Sequence, residues 1–162
     1  MQPMTTIRSW QIGQLKKAVS TLQYVIKCIS QEDATTLRDG GSGWTVLEVM
    51  GHLRDFEALF LERARLTIDR DMPDLPFPDQ EALAIERCYN EGDLHETYRE
   101  WADNRLKFIA FLESVGDGGW ERPANHPTRG PFTLNDQLLL TVWHDMNHIE
   151  QIAHIMVERK GA

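Results

Sequence analysis

Thr45-Val46-Leu47-Glu48-Val49-Met50-Gly51-His52-Leu53-Arg54-Asp55-Phe56 reads as the opening of a long amphipathic helix. Thr45 and Glu48 stand in a capping-box pattern, in which hydroxyl and carboxylate each satisfy an amide that the helix start leaves open. From there Val46, Val49, Met50, Leu53, Phe56, Phe60 and Ala64 recur at three- and four-residue spacing and form one apolar stripe. Such a helix cannot bury its stripe alone, so partners must come from the rest of the chain. Proline costs roughly 3 kcal/mol inside a helix. Pro3, Pro73, Pro76, Pro78, Pro123, Pro127 and Pro131 therefore leave three stretches where long helices can lie, and Gly40-Gly41-Ser42-Gly43 divides the first.

Working outward, a first helix is expected over about Ser9 to Ser30, with Leu15, Ala18, Val19, Leu22, Ile26 and Ile29 on one face. The quoted stretch begins the second. A third starts near Asp93, carries Leu94, Tyr98, Trp101, Phe108, Ile109 and Leu112, and ends at Gly116-Asp117-Gly118-Gly119. A fourth follows Pro131 with Thr133 as its cap, and its stripe is Leu134, Leu138, Val142, Ile149, Ile152 and Met156. No stretch shows the sustained alternation and turn chemistry of strands. The expected fold is all-α, a four-helix bundle forming one domain over residues 1–162. Two connections are long, Asp69 to Gly92 and Gly116 to Gly130, and the former has room for a short helix over Gln80 to Tyr89.

The chain has 162 residues, with 25 Asp+Glu against 17 Lys+Arg for a net charge of −8. A negative field of that size opposes nucleic acid and anionic membrane surfaces as partners. No run approaches the ~18 apolar residues of a membrane span, and Met1-Gln2-Pro3-Met4-Thr5-Thr6 lacks a basic region followed by an apolar one, so a cytoplasmic protein is expected. Cys28 and Cys88 lie outside any C-x-x-C pattern, which suits reduced thiols.

The fourth helix contains His144-Asp145-Met146-Asn147-His148. Residues i and i+4 have Cβ atoms about 5–6 Å apart on one face, close enough for two imidazoles to converge on one ion. Both flank the apolar stripe, as does His52 on the second helix. Three neutral imidazoles suit Zn²⁺, Ni²⁺ or Fe²⁺ at ~2.0–2.1 Å and leave positions open for water or substrate. The competing reading is a core histidine beside a surface one. The H-E-x-x-H protease motif is absent because Asp145 follows the first histidine, and Glu48-x-x-x-His52 has the wrong spacing for a ferritin-like di-metal site.

Gly43-Trp44-Thr45-Val46-Leu47-Glu48-Val49, then Gly51-His52-Leu53-x-Asp55-x-Glu57, then His126-Pro127-x-x-Gly130, then His144-Asp145-x-x-His148-x-x-Gln151-Ile152 together resemble the DinB-like family, also called the YfiT-like metal-dependent hydrolases. The resemblance spans the chain from the first helix to the fourth. It implies a four-helix bundle with one divalent metal ion (Zn, Ni or Fe) on three histidines, which correspond to His52, His144 and His148. It also implies a small-molecule substrate, since characterised relatives include transferases of low-molecular-weight thiols and a thiol-dependent maleylpyruvate isomerase. A homodimer fits the family as well.

Around the histidines, Glu48 at i−4 and Asp55 at i+3 share the side of His52 and are candidates to orient a ligand, and Gln151, on the histidine side of the fourth helix, is a candidate to bind substrate. Arg105 falls in the middle of an apolar stripe and needs a partner. An acid on a neighbouring helix, such as Glu57, would serve; alternatively Arg105 or Arg63 would fork onto a substrate carboxylate. His126, in the connection before the fourth helix, could overhang the metal, although a turn role is the simpler reading. His95 and His154 are read as surface residues, and Trp120, Trp143, Met50 and Met146 as core or flank. Two functions follow: a metal-dependent hydrolase or low-molecular-weight-thiol S-transferase, or a non-catalytic metal- or ligand-binding bundle or dimerisation module with a vestigial site.

Overall fold

A computed structural model describes residues 3–158, so both ends of the expected 1–162 span lie outside the described residues. Among the described residues the element order is α1 (Pro3–Lys27), α2 (Gln31–Thr36), α3 (Val46–Asp69), α4 (Gln80–Glu86), α5 (Leu94–Ser114), β1 (Pro123–His126), β2 (Gly130–Thr133) and α6 (Leu134–Glu158). The long helices α1, α3, α5 and α6 are the four of the expected bundle. Each α3 and α6 start carries the reciprocal cap its sequence encodes. The Thr45 amide donates to Glu48 Oε2 at 2.7 Å and the Glu48 amide to Thr45 Oγ1 at 3.1 Å. At α6 the Thr133 amide donates to Asp136 Oδ2 at 2.8 Å and the Asp136 amide to Thr133 Oγ1 at 3.2 Å.

The apolar stripes meet in two clusters. One gathers Leu22, Ile26, Met50, Leu53, Trp101, Ile152 and Ile155, the other Leu15, Phe60, Phe108, Leu112, Trp120, Leu134 and Leu138. Burying one such side chain stabilises the fold by about 1.5–3 kcal/mol. Trp101 belongs to the first cluster and Phe108 to the second, so Arg105 on α5 lies between them.

Four details differ from the sequence expectation. Helix α1 begins at Pro3 instead of Ser9, because proline has no amide to lose in a first turn. It ends at Lys27, and Ser30 caps a separate short helix, its hydroxyl accepting from the Asp33 amide at 3.1 Å. The connection before α6 is an antiparallel hairpin in which Pro123 pairs with Thr133 and His126 with Gly130. Four-residue strands carrying Pro123 and Pro131 are too short to show alternation. The short helix expected over Gln80 to Tyr89 ends at Glu86 and is followed by a 3₁₀ turn at Tyr89–Glu91.

The two long connections are stitched together. The Leu75 amide donates to the Asn125 carbonyl at 2.9 Å and the Asn125 amide to the Pro73 carbonyl at 2.8 Å. This brings Phe77 and His126 into ring contact at 5.2 Å, over the end of the α3/α6 seam. No helix of the described residues is long and apolar enough to cross a membrane.

Candidate metal centre

His52 lies seven residues beyond the Thr45 cap, two helical turns into α3, and faces α6. His144 and His148 stand on successive turns of α6. One ring nitrogen from each of the three histidines lies within 4.8 Å of the others. The Nε2 atoms of His52 and His144 are 2.9 Å apart, and the ring centroids of His148 lie 4.7 Å from His52 and 4.5 Å from His144. The walls are aromatic: Phe56 is 4.1 Å and Trp44 5.1 Å from His52, and Phe60 meets His144 edge-on at 5.2 Å.

Burial in this setting disfavours the charged rings. His52 is pushed down to about 3, by burial first and by His148 second. His144 is held well below its ordinary value by burial and then by the other two rings. Burial also lowers His148, although the Gln151 hydrogen bond opposes it. All three shifts favour the uncharged ring, which is the state that ligates metal. His52 and His144 each have a buried Nδ1 without a partner among the described residues.

His148 has a fixed tautomer, and the reason can be traced outward. Asp39 Oδ2 can only accept, and it takes the Gln151 Nε2 proton at 2.9 Å. That orientation turns Gln151 Oε1 toward His148 Nδ1, also at 2.9 Å. Nδ1 must therefore carry the hydrogen, leaving the Nε2 lone pair free. Three neutral nitrogen donors, one with its lone pair oriented by an outer amide, fit a divalent ion.

The other expected residues divide by their partners. Glu48 is engaged in the α3 cap and with Arg38 at 3.3 Å. Asp55 accepts from Tyr89 at 2.6 Å and from Arg54 and Arg87 at 2.8 Å. Neither makes a hydrogen bond to an imidazole, because both carboxylates point along α3 toward its neighbours instead of across to α6. Arg105 is fully buried, and its five N–H groups all have acceptors. Two go to Glu57 at 2.6 and 2.7 Å, two to Asp145 at 2.6 and 2.8 Å, and one shares the Leu15 carbonyl at 3.3 Å. It is a structural partner of Glu57, as the first of its two readings held, with no donor left for a substrate. Burial pushes Glu57 up despite the guanidinium beside it.

Arg63 and His126 face the cavity with the histidines. Arg63 is buried, with Nε and Nη2 both donating to the Pro76 carbonyl at 2.9 and 2.7 Å. Its pKa is pushed down to about 10, by burial and then, against the pull of Glu62, by Arg129. His126 is buried between Phe77 and Phe132, at 5.2 and 5.3 Å. His95 and His154 are exposed, as are Trp143 and Met146, whereas Met50 and Trp120 are core. Sequence reasoning missed Asp39, Arg129 and Phe77. Each comes from a loop with no periodicity, and only the chain's return brings it near the α3/α6 seam.

Comparison with known proteins agrees with this architecture. The family model of the DinB superfamily matches residues 14–152. A protein of Bacillus subtilis strain 168 named "Putative metal-dependent hydrolase YfiT" is 29% identical over 144 residues, covering 88% of this chain and 76% of its own. A Bacillus licheniformis protein, likewise named a "Putative metal-dependent hydrolase", is 28% identical over 155 residues, covering 95% and 85%. The solved structure of YfiT from Bacillus subtilis, described as "a probable metal-dependent hydrolase with an unusual four-helix bundle topology", superposes with a TM-score of 0.87 at 24% identity, covering 99% of this chain and 90% of that one.

Proposed function

The chain belongs to the DinB superfamily, and from that premise we propose that it is a divalent-metal-dependent enzyme of the hydrolase or low-molecular-weight-thiol S-transferase type, acting on a small molecule. The observation that carries this reading is the convergence of His52, His144 and His148 within 4.8 Å, in a setting whose burial favours the neutral rings. These three residues would hold the ion, with zinc, nickel or iron all acceptable to an imidazole set. Such an ion supplies Lewis-acid activation of a water or a thiol.

The remaining work belongs to the protein. Asp39 and Gln151 hold the His148 ring in place. Phe56 and Phe60 give the cavity an apolar lining that excludes water, and Arg63 and His126 line it as well. The hydrolase reading is supported by the names of the relatives. The thiol reading draws on the same site: a bound ion would lower the pKa of a coordinated thiol as it would that of a water. Neither nucleophile therefore calls for an acid in the cavity of about 330 Å³, whose described lining holds no Asp or Glu.

Elemental analysis of the purified chain tests the proposal, with about one equivalent of divalent metal expected per chain and little in His148→Ala. Chelation should lower the melting temperature of the wild type, because the ion binds only the folded state. A metal-free wild type whose melting is indifferent to added zinc, nickel and iron would instead support the non-catalytic bundle. Turnover of a thiol with an electrophile, set against hydrolysis of a small ester, decides between the two reaction types.

A further inference from the structure

Arg63 is 3% exposed, and among the described residues no carboxylate lies within ion-pair distance of it, a rare state for a buried charge. Arg105 in the same bundle shows the usual solution, with two acids and five satisfied donors. Arg63 uses only its Nε/Nη2 edge, on one neutral carbonyl. The Nη1 end has no acceptor among the described residues, and Arg63 lines the cavity that the three histidines share. The Phe60 and Phe77 rings, 5.9 and 5.8 Å from the guanidinium carbon, hold its plane.

Two more donors reach the same wall. Arg129 lines the cavity, is exposed, and has no ion-pair partner among the described residues. His126 Nδ1 accepts from the Thr128 amide at 3.3 Å, which leaves the hydrogen on Nε2. The acids of the adjoining groove are occupied: Asp79 Oδ1 caps α4, and Glu81 Oε2 accepts from Trp44 at 3.0 Å. A chain of net charge −8 thus encloses a cavity whose ionised lining side chains are both arginines.

We propose that Arg63, Arg129 and the Nε2–H of His126 form an anion-binding subsite facing the three histidines, and that the substrate is a small organic acid with an aromatic or branched apolar body. The carboxylate sits on the free guanidinium edge of Arg63, and the body lies against Phe56, Phe77 and Trp143. A cavity of about 330 Å³ has room for a small acid. This rests on the reading of the cavity as the active site, and its test is arranged to stand apart from the metal.

Phenylacetate and phenylacetamide share shape and differ in charge. Calorimetric titration of each into the full-length chain, as purified and after chelation, should show the acid binding at least about tenfold more tightly in both preparations. Arg129→Gln, an exposed change that leaves packing intact, should weaken the acid severalfold and leave the amide unaffected; Arg63→Met should abolish the preference. Equal affinity of acid and amide, no binding of the acid, or a preference unchanged in both variants overturns the subsite. A preference that disappears with the metal also overturns it, since the carboxylate would then belong to the ion. If the chain proves metal-free while the preference holds, the metal reading fails and the subsite stands.

Discussion

Gln151 links a carboxylate to an imidazole through the two ends of one amide, so its value lies in having a donor and an acceptor together. Gln151→Ala removes both. The expected result is a loss of about 10–100-fold in metal affinity with little change in fold, read by competition with a chromophoric chelator. Gln151→Glu keeps an acceptor for His148 but sets two carboxylates side by side at Asp39, and should restore only part of the loss. Wild-type affinity in Gln151→Ala would exclude a positioning role. Gln151 was legible from the sequence, because i+3 spacing from His148 on a helix fixes its side. Asp39 was not. It lies 112 residues from Gln151, in a turn whose Gly40 and Gly41 have φ of +54° and +80°. Those glycines announce a bend without saying what it will approach.

Elements meet at Arg105. Its guanidinium joins α5 to Glu57 of α3, Asp145 of α6 and the Leu15 carbonyl of α1, in a plane between the two apolar clusters. Arg105→Met leaves two carboxylates buried without a cation and should destabilise the chain by about 3–5 kcal/mol in urea denaturation. Adding Glu57→Gln should recover part of that. A loss below about 1 kcal/mol would mean the charges are better solvated than their burial indicates. The bundle itself was legible because prolines bound the long helices and the Thr45 and Thr133 caps mark two starts. A lone arginine amid apolar spacing likewise announced a buried pair. The β1/β2 hairpin and the stitched loops were hidden, since backbone pairing between short irregular segments leaves no period in the side chains. Gly51 is an intermediate case. A Cβ there would stand 2.6 Å from the Tyr89 ring, a close approach between α3 and the turn after α4 that only the fold reveals.

At the scale of the molecule, the lowered histidines make the metal-free chain sensitive to acid. A histidine depressed in the folded state takes up its proton more readily when unfolded. The stability it contributes is complete above about 6.5 and declines as pH falls from there toward the folded value, about 3 for His52. Glu57, pushed up by burial, works in the opposite sense. In chelator, the melting temperature should therefore be lower at pH 5.5 than at 7.5, and the drop should be smaller in His148→Ala. An equal drop in both proteins would show that His148 does not titrate differently on folding. The closeness of His52 and His144 has a consequence for the unfolded chain too. They are 92 residues apart in sequence, so one ion gripping both closes a very long loop. By the chain-entropy relation used for disulfides, a closure of that length is worth about 4–5 kcal/mol. Cys28 and Cys88 are both free, and the histidines would give the chain the cross-link its cysteines do not, one that a chelator can open and an ion can close again.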